Sequence, residues 1–497
     1  MSTDGYRYGT HRFWEMLQGI LFWATLVLSL ALSFVVPYWV IVFIIVFDVF
    51  WVFRVVYFVI HLVSAWREYR ATTRTDWFSK LAAVDGSEKI HHLIFLPTYK
   101  EDIDIIRGTL RSIRDCKFPN DRILIVLAGE GRDSGHFRKN AELIRREFRN
   151  VFKKVIVTEH PVGLPDEIPG KGSNLNWAGH RVVEELAADC PEIADEDVVV
   201  SCFDVDTVVH PQYFAYLTYL YCTVPNPTRS SYQPVALFAN NIWTTPAPVR
   251  VAAFGTTFWI LTELARPERL WTFSSHSMPW TMLKDVGFWQ KDIVTEDSRI
   301  FMQAFLKYEG DYRVTPMFLP VSMDTVTGKT YLDALVALYK QMRRWAWGAE
   351  HFPYMIDQFR RHPKISKRLK FKYLFNHLEG MYTWAAAPLL IFVLGRLPLS
   401  LTSSESNALV QDAPFTLEWL MRLAMLGVFV SGAMALTMLP PRPHTVKKSM
   451  WIVMVFQWIL LPVTFILFGA LPAIDAQTRL MVGKYLGFNV TEKSKNR

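Results

Sequence analysis

Residues 201 to 210 read "SCFDVDTVVH", with two carboxylates, Asp204 and Asp206, directly after the apolar run "VVVSCF". An extended segment projects residues i and i+2 to one side, so this pair can share one oxygen-ligand cation of the Mg2+ or Mn2+ type. Such a cation keeps waters and bridges to the phosphates of a substrate. Taken alone, a DxD pair is more often a cap or a solvated turn; the apolar run before it predicts a buried strand that carries the pair to a sheet edge. Three other stretches bring reactive groups to a comparable place: "LPTYKED" leaves Tyr99 and Glu101, "LAGEGRD" leaves Glu130 and Asp133, and "PGKGSNLN" leaves Lys171 and Asn174. Acidic and basic groups converging on one edge suit a phosphorylated ligand with a divalent metal.

"GLPDEIPGKGS" is not a phosphate-binding P-loop, because six residues separate Gly163 from Gly170 and Gly172 stands in the Ser/Thr position. Lys171 can still meet a phosphate as a point charge; its position fits an exposed turn lysine equally well. Asp297, in "VTEDSRIFMQAF", is expected in the first turn of a helix, where its plain role is to complement the helix dipole. "YKQMRRWAWG" reads as an amphipathic helix in which a Trp beside Arg suits interfacial packing.

Short apolar runs alternate with longer mixed ones from His91 to about Trp345. "HHLIFLPTY", "RILIVLAGE", "KKVIVTEH" and "DVVVSCFDVD" read as strands, and "DIDIIRGTLRSIRD", "HFRKNAELIRREF" and "SNLNWAGHRVVEELAAD" as helices. Alternation of this kind implies an open, mostly parallel sheet, with ligands at the carboxyl ends of its strands.

The chain has 497 residues, 51% hydrophobic and 14% aromatic, and its apolar residues concentrate at the two ends. Five stretches reach the ~20 residues that a ~30 Å hydrocarbon layer needs: Met16 to Val36, Trp39 to about Val63, Met381 to Leu401, Trp419 to Leu439 and Met450 to Ile474. This is the pattern of a multi-pass membrane protein. Arg67, Arg70, Arg74 and Lys80 follow the second stretch, and "RRHPKISKRLKFK" packs seven Lys or Arg into thirteen residues before the third. By the bias of Lys and Arg toward the cytoplasm, the central domain is cytoplasmic and the loop from Pro398 to Glu418, with no Lys or Arg, faces outward. Five spans would leave the basic tail outside, against the same bias; Pro462 and Pro472 breaking the last stretch into a re-entrant hairpin, or one further span, would restore agreement. Asp48, Arg54 and His61 lie in the second stretch, where they are expensive facing lipid; a translocation path or a lipid-binding contact is one reading, and the favoured one has Arg54 snorkelling and Asp48 facing a neighbouring helix.

The net charge of +8 clusters beside the spans rather than along one soluble face, so anionic headgroups and membrane lipids are the expected partners, and no nucleic acid. Four cysteines, at 116, 190, 202 and 222, show no CxxC spacing and indicate neither a zinc site nor a disulfide framework.

In order, "PTYKE", "GKGSNLN", "FDVD", "VTED" and "QMRRW" resemble the motif series of membrane-integrated family 2 glycosyltransferases, the group that includes cellulose, chitin and hyaluronan synthases. The resemblance covers about 90 to 350 by motif and the flanking spans by layout, and QxxRW is its most specific part. It implies an α/β GT-A (nucleotide-diphospho-sugar transferase) domain inserted between transmembrane α-helices: 1–75 with two spans, 90–345 as the cytoplasmic GT-A domain, 346–376 as interfacial basic helices, 377–474 as three or four further spans, and 475–497 as a basic tail.

The same resemblance places Tyr99 near the base and Glu101 near the ribose of the nucleotide, Lys171 near the phosphates, and Asp204 and Asp206 at the diphosphate and metal. It puts Asp297 in the role of catalytic base with Glu296 beside the substrate, Arg344 near the diphosphate, Trp345 stacked on the acceptor sugar and Gln341 alongside. Chemically, a departing diphosphate develops charge that a cation and nearby Lys or Arg offset, and inversion by direct attack needs a base on the acceptor hydroxyl. Two positions depart from the pattern: Glu130 stands where an aspartate is common, and Lys100 where Asn is common. The implied activity is transfer of a sugar from a UDP- or GDP-sugar donor, with Mg2+ or Mn2+, to a growing polysaccharide at the plasma (inner) membrane. The competing readings are a non-processive transferase that adds one sugar to a lipid acceptor, and a transporter or sensor whose domain only binds nucleotide.

Overall fold

The computed structural model describes residues 9–395, 397–401 and 408–487. Its centre is an eight-stranded sheet of β1 (His91–Thr98), β2 (Ile123–Glu130), β3 (Lys154–His160), β4 (Val198–Cys202), β5 (Val208–Val209), β6 (Ser230–Phe238), β7 (Ser277–Pro279) and β8 (Arg313–Met323), ordered β3-β2-β1-β4-β7-β6-β8-β5. The first four are mutually parallel, as their alternation with helices predicts. Beyond β4 the sheet is mixed: β7 runs antiparallel to both β4 and β6, β8 is parallel to β6, and β5 is antiparallel to β8.

Strands covered on both faces must be apolar on both, and alternation then divides each one between two cores. Leu93 and Phe95 of β1 and Leu124 and Val126 of β2 enter one; Ile94 and Leu96, with Ile125 and Leu127, enter the other. The first core also takes in Leu62, Ala65, Met434, Met438, Met454 and Trp458 from the apolar helices. The domain and the apolar helices therefore share one continuous packed layer.

Five helical runs are long and apolar enough to cross a membrane: Thr10–Val35, Pro37–Arg74, Lys367–Ser400, Val410–Met438 and Met450–Met481. Their limits differ from the sequence expectation. The second is one 38-residue helix that carries on past Val63 to Arg74. The third begins at Lys367, so the expected division at 376/377 falls inside a helix. The fourth begins at Ala408, which makes much of the expected outward loop helical; residues 402–407 and the end of the tail, 488–497, lie outside the described residues. In the second helix Asp48 is buried, and Arg54 pairs with Glu379 of the third.

The last run forms no re-entrant hairpin. From Met450 to Met481 the backbone stays right-handed helical through α, 3-10 and π segments, and Pro462 and Pro472 begin successive segments, where a missing N–H costs least. One of its faces lies on the central domain at three places. Near its start, the Trp451 and Trp243 ring centroids are 5.1 Å apart and Arg250 Nε donates to Gln457 Oε1 at 2.6 Å. Midway, Phe468 packs with Val249 and Leu338. Near its end, Arg343 Nη1 donates to Asp475 Oδ2 at 2.8 Å. The other face exposes Ile452, Phe456, Ile459 and Val463.

Candidate active site

The carboxyl ends of the parallel strands and two helix N-termini enclose a cluster of charged groups. Lys171 opens the Lys171–Asp189 helix, whose start is held by Ser173 Oγ bonding both backbone groups of Gly170 and by Asn174 Nδ2 donating to Ala128 O of β2 at 2.9 Å. Gly172 is required by close approach, since a Cβ there would stand 2.9 Å from Gln290 O and 3.3 Å from Glu296 Cβ. That approach brings the Lys171–Asp189 helix against the Glu296–Lys307 helix, which carries Glu296 and Asp297 in its first turn as expected.

Lys171 Nζ lies 2.9 Å from Asp204 Oδ1 and 2.9 and 3.0 Å from the two Asp297 oxygens. Burial opposes its charge, but Asp204 and Asp297 outweigh that and hold its pKa well above the ordinary lysine value. The exposed-turn reading of Lys171 therefore fails: the amine is a buried counterion shared by two carboxylates.

Glu296 is 1% exposed, and among the described residues neither of its oxygens accepts a hydrogen bond; Lys171 Nζ stands 3.9 Å away. Burial, then repulsion from Asp297, push its carboxyl up to about 8, with Lys171 and Arg344 opposing. Arg344 is thus within electrostatic reach of the cluster.

The carboxylate pair differs from the extended geometry expected of it. β4 stops at Cys202, and Thr207 N bonds back to Asp204 O at 2.9 Å, so the pair sits on a turn. The two side chains meet different partners: Asp204 Oδ2 accepts from Ser274 Oγ at 2.6 Å, while Asp206, 0% exposed, accepts from Asp324 N at 3.0 Å. Among the described residues no three His, Cys, Asp or Glu side chains are grouped as a ready cation cage. Two carboxylates carried on one turn still offer the oxygen donors that suit Mg2+ or Mn2+, which takes few protein ligands and completes its shell with phosphate oxygens and water.

The remaining expected residues fall into two groups. At the ends of β1 and β2, the Tyr99 ring lies between Lys100 Nζ at 5.0 Å and the Arg132 guanidinium at 4.6 Å, and Arg132 Nη2 bonds Glu130 at 2.7 Å. Burial pushes the Glu130 carboxyl up while Arg132 opposes it. Glu101 accepts from the backbone N of Tyr99, closing a turn in which Lys100 takes φ 67°, a region that Asn tolerates better than Lys. The second group is Gln341 and Trp345, which line a narrow crevice with Phe238, Thr325 and Val326. Their helix, Tyr331–Ala346, starts with a Thr330/Asp333 capping box and is tied at its far end by Arg343 to Asp475. Arg343 and Arg344, being successive, leave the helix in different directions.

A further set carries no charge and escaped the sequence reading. Residues 272–277 run along the cluster: Thr272 Oγ1 donates to Asp297 O at 2.6 Å, Ser274 holds Asp204, and Ser275 Oγ is 3.1 Å from Thr207 Oγ1. His276 is buried, with Nδ1–H donating to Phe273 O at 2.7 Å and Nε2 making no hydrogen bond to a described residue. Burial lowers its pKa, so the ring stays neutral. The hydroxyl-rich run "TFSSHS" between apolar neighbours was the available signal. His351 supports the Glu296–Lys307 helix from below, bonding Ser298 Oγ at 2.7 Å and accepting from Arg299 Nε at 3.1 Å.

A mixed α/β sheet with this edge, flanked by apolar helices, is the architecture of a GT-A glycosyltransferase, and comparison with known families agrees. The model of glycosyl transferase family group 2 matches residues 199–471, and the chain belongs to that family. A search of curated proteins returns no match. Among solved structures, the mannosyltransferase PcManGT from Pyrobaculum calidifontis, in complex with GDP-Man and Mn2+, is 14% identical at a TM-score of 0.42, over 86% of this chain and 100% of that one. S. aureus TarS 1-349 in complex with UDP-GlcNAc is 14% identical at 0.31, over 70% of this chain and 92% of that one.

Proposed function

We propose that this protein is an inverting glycosyltransferase that moves a sugar from a UDP- or GDP-sugar to a growing polysaccharide at the cytoplasmic face of the plasma membrane. The observation that carries the proposal is Lys171 Nζ held between Asp204 and Asp297. Two helix N-termini, Lys171 and Arg344 meet there, an environment that favours a diphosphate. An incoming phosphate competes for Lys171 and frees Asp297. The acceptor oxygen then attacks the anomeric carbon as its proton passes to the Asp297 carboxylate, and the bond to the diphosphate breaks with its electron pair going to the phosphate oxygen. Lys171 and Arg344 offset the charge that develops. Asp204 and Asp206 would hold the divalent cation, which when bound supplies further Lewis-acid stabilisation of that leaving group.

The second reading, transfer of one sugar to a lipid acceptor, is favoured by the apolar lining of the crevice beside Trp345, where Val249, Ala252, Ala253, Val326 and Leu338 face it. The purified chain incubated with labelled donors should yield a high-molecular-weight, glycosidase-sensitive product; a single-sugar glycolipid would establish the second reading, and no nucleotide diphosphate release with any donor would remove both. Chelation with EDTA should stop release and Mn2+ or Mg2+ restore it. Asp206→Ala should lose divalent-dependent nucleotide binding, and unchanged affinity would take Asp206 out of the metal site.

The contacts of the last helix favour a particular topology. A crossing helix leaves the domain behind after one end, yet Met450–Met481 touches it near both ends and at Phe468 between them. In this reading it lies in the membrane surface, with Ile452, Phe456 and Ile459 toward lipid, while the other four helices cross. Four crossings put the basic tail on the side of the domain, as its charge requires. A C-terminal tag should be cleaved by protease added from the side that also reaches the domain; protection of the tag there would overturn this arrangement.

A further inference from the structure

A second cavity, of about 400 Å³, lies away from the Lys171 cluster, where the loop after the fourth apolar helix meets the central domain. Its walls include Trp243, Arg250, Thr445, Lys447, Ser449 and Met450. Three features distinguish it from a packing defect. The first is Arg250, which is 3% exposed yet pairs with no carboxylate among the described residues. Its Nε donates to Gln457 Oε1 at 2.6 Å and its Nη1 to Thr245 O at 2.5 Å, both neutral acceptors. A guanidinium carries five donors, and Nη2 makes no hydrogen bond to any described residue. A buried cation without a counterion is costly, and an anion in the adjoining space removes that cost.

The second feature is Lys447, which lines the cavity, is exposed, and is also without an acidic partner among the described residues. The third is that Trp243, Thr244 and Thr245 directly precede the 18-residue Ala247–Leu264 helix, so its N-terminal dipole adds to the same field. The hydroxyls of Thr445 and Ser449 are hydrogen-bonding groups sized for phosphate oxygens. Met450 and Val453, at the start of the last apolar helix, form the side of the cavity next to the membrane-facing surface.

We infer that this cavity is a binding site for a phosphate group, gripped by Arg250 and Lys447. An anionic lipid headgroup or a free phosphate would present the same chemistry, and the site is built where either can reach it. It is separate from the transfer site but connected to it: Thr245 Oγ1 lies 2.8 Å from Thr325 Oγ1, next to Asp324, whose N–H holds Asp206. The inference does not depend on the transferase reading.

The test uses the full chain in detergent, with thermal shift and a direct binding measurement against three probes: a short-chain phosphatidylglycerol, phosphatidylcholine of the same chain length, and inorganic phosphate. Phosphatidylglycerol should bind at least tenfold tighter than phosphatidylcholine if the source is a lipid, and inorganic phosphate should bind and compete if the source is soluble. Either affinity should fall at least tenfold in Arg250→Gln and in Lys447→Glu. Because Arg250 is buried and its variant can fail to fold, the exposed Lys447→Glu keeps the test decisive. Binding of neither anionic probe, equal binding of the two lipids with no effect of phosphate, or affinities unchanged in Lys447→Glu would overturn the site.

Discussion

Asp297→Asn should lower the rate of sugar transfer by roughly 10²–10⁴-fold, the range a positioned general base supplies, while leaving donor affinity within about threefold because the phosphate-facing cation is untouched. The substitution keeps the side-chain shape and the contact of Thr272 Oγ1 with the backbone oxygen of residue 297. It removes one negative charge from the first turn of the Glu296–Lys307 helix, worth about 0.3–1 kcal/mol, and one of the two carboxylates that pair with Lys171, which keeps Asp204 as its counterion while Glu296 loses a repelling neighbour. Activity and folding are therefore separable in this variant. Nucleotide diphosphate release under single-turnover conditions, beside nucleotide binding by calorimetry, makes the measurement. A nucleotide-binding transporter or sensor predicts that the variant retains its activity in cells; a residual rate within a few fold of wild type would reduce Asp297 to a helix-capping charge.

Lys171→Met should have a different signature, loss of stability together with loss of donor binding. The amine is the shared partner of Asp204 and Asp297 and the nearest cation to Glu296, so its removal leaves three carboxyl groups facing one another in a buried space. Breaking a fully buried pair from one side costs roughly 3–5 kcal/mol, and here, with Asp204 and Asp297 partly exposed, the loss is smaller. The cost must depend on pH. Lys171 opposes the rise of the Glu296 pKa, so without the lysine that carboxyl is pushed further up, the folded variant binds more protons than wild type, and its deficit shrinks as pH falls. Glu296 already follows this rule in the native protein: with its pKa raised from 4.5 to about 8, it costs stability increasingly as pH climbs between those values. Melting temperatures of wild type and Lys171→Met should therefore lie farthest apart near pH 8 and draw together toward pH 5. A gap that is constant with pH would mean that Lys171 contributes packing rather than charge.

Much of the domain was legible before any coordinates. The parallel strands β1 to β4 and their intervening helices follow from apolar runs of strand length alternating with mixed segments, because a strand covered on both faces must be apolar on both. Asp297 in a first helical turn followed from the apolar spacing after it. Asp204 carried a visible signal because a charge directly after an apolar run needs a partner, whereas Lys171 and Asp297 were singled out by the order of the family motifs they resemble. What stayed hidden were the neutral groups, Thr272, Ser274, Ser275 and His276, whose importance comes from their place beside the charged cluster rather than from their own types.

Sequence by itself determined the class of elements, the two apolar ends and the residue types that meet at the sheet edge, since periodicity and composition are local properties of the chain. Only the tertiary structure decided where those elements stop and what each charge faces. Asp204 and Asp206 part company because a turn replaces the expected strand end. Lys171 becomes a buried counterion because Gly172 lets two helices approach. The last apolar helix rests along the domain because the helices holding Arg250 and Arg343 offer it partners near both ends. Each of these depends on at least one contact between residues far apart in the chain, such as Asp206 with Asp324, Lys171 with Asp297 and Arg343 with Asp475, and no local pattern encodes which distant partner a side chain will meet.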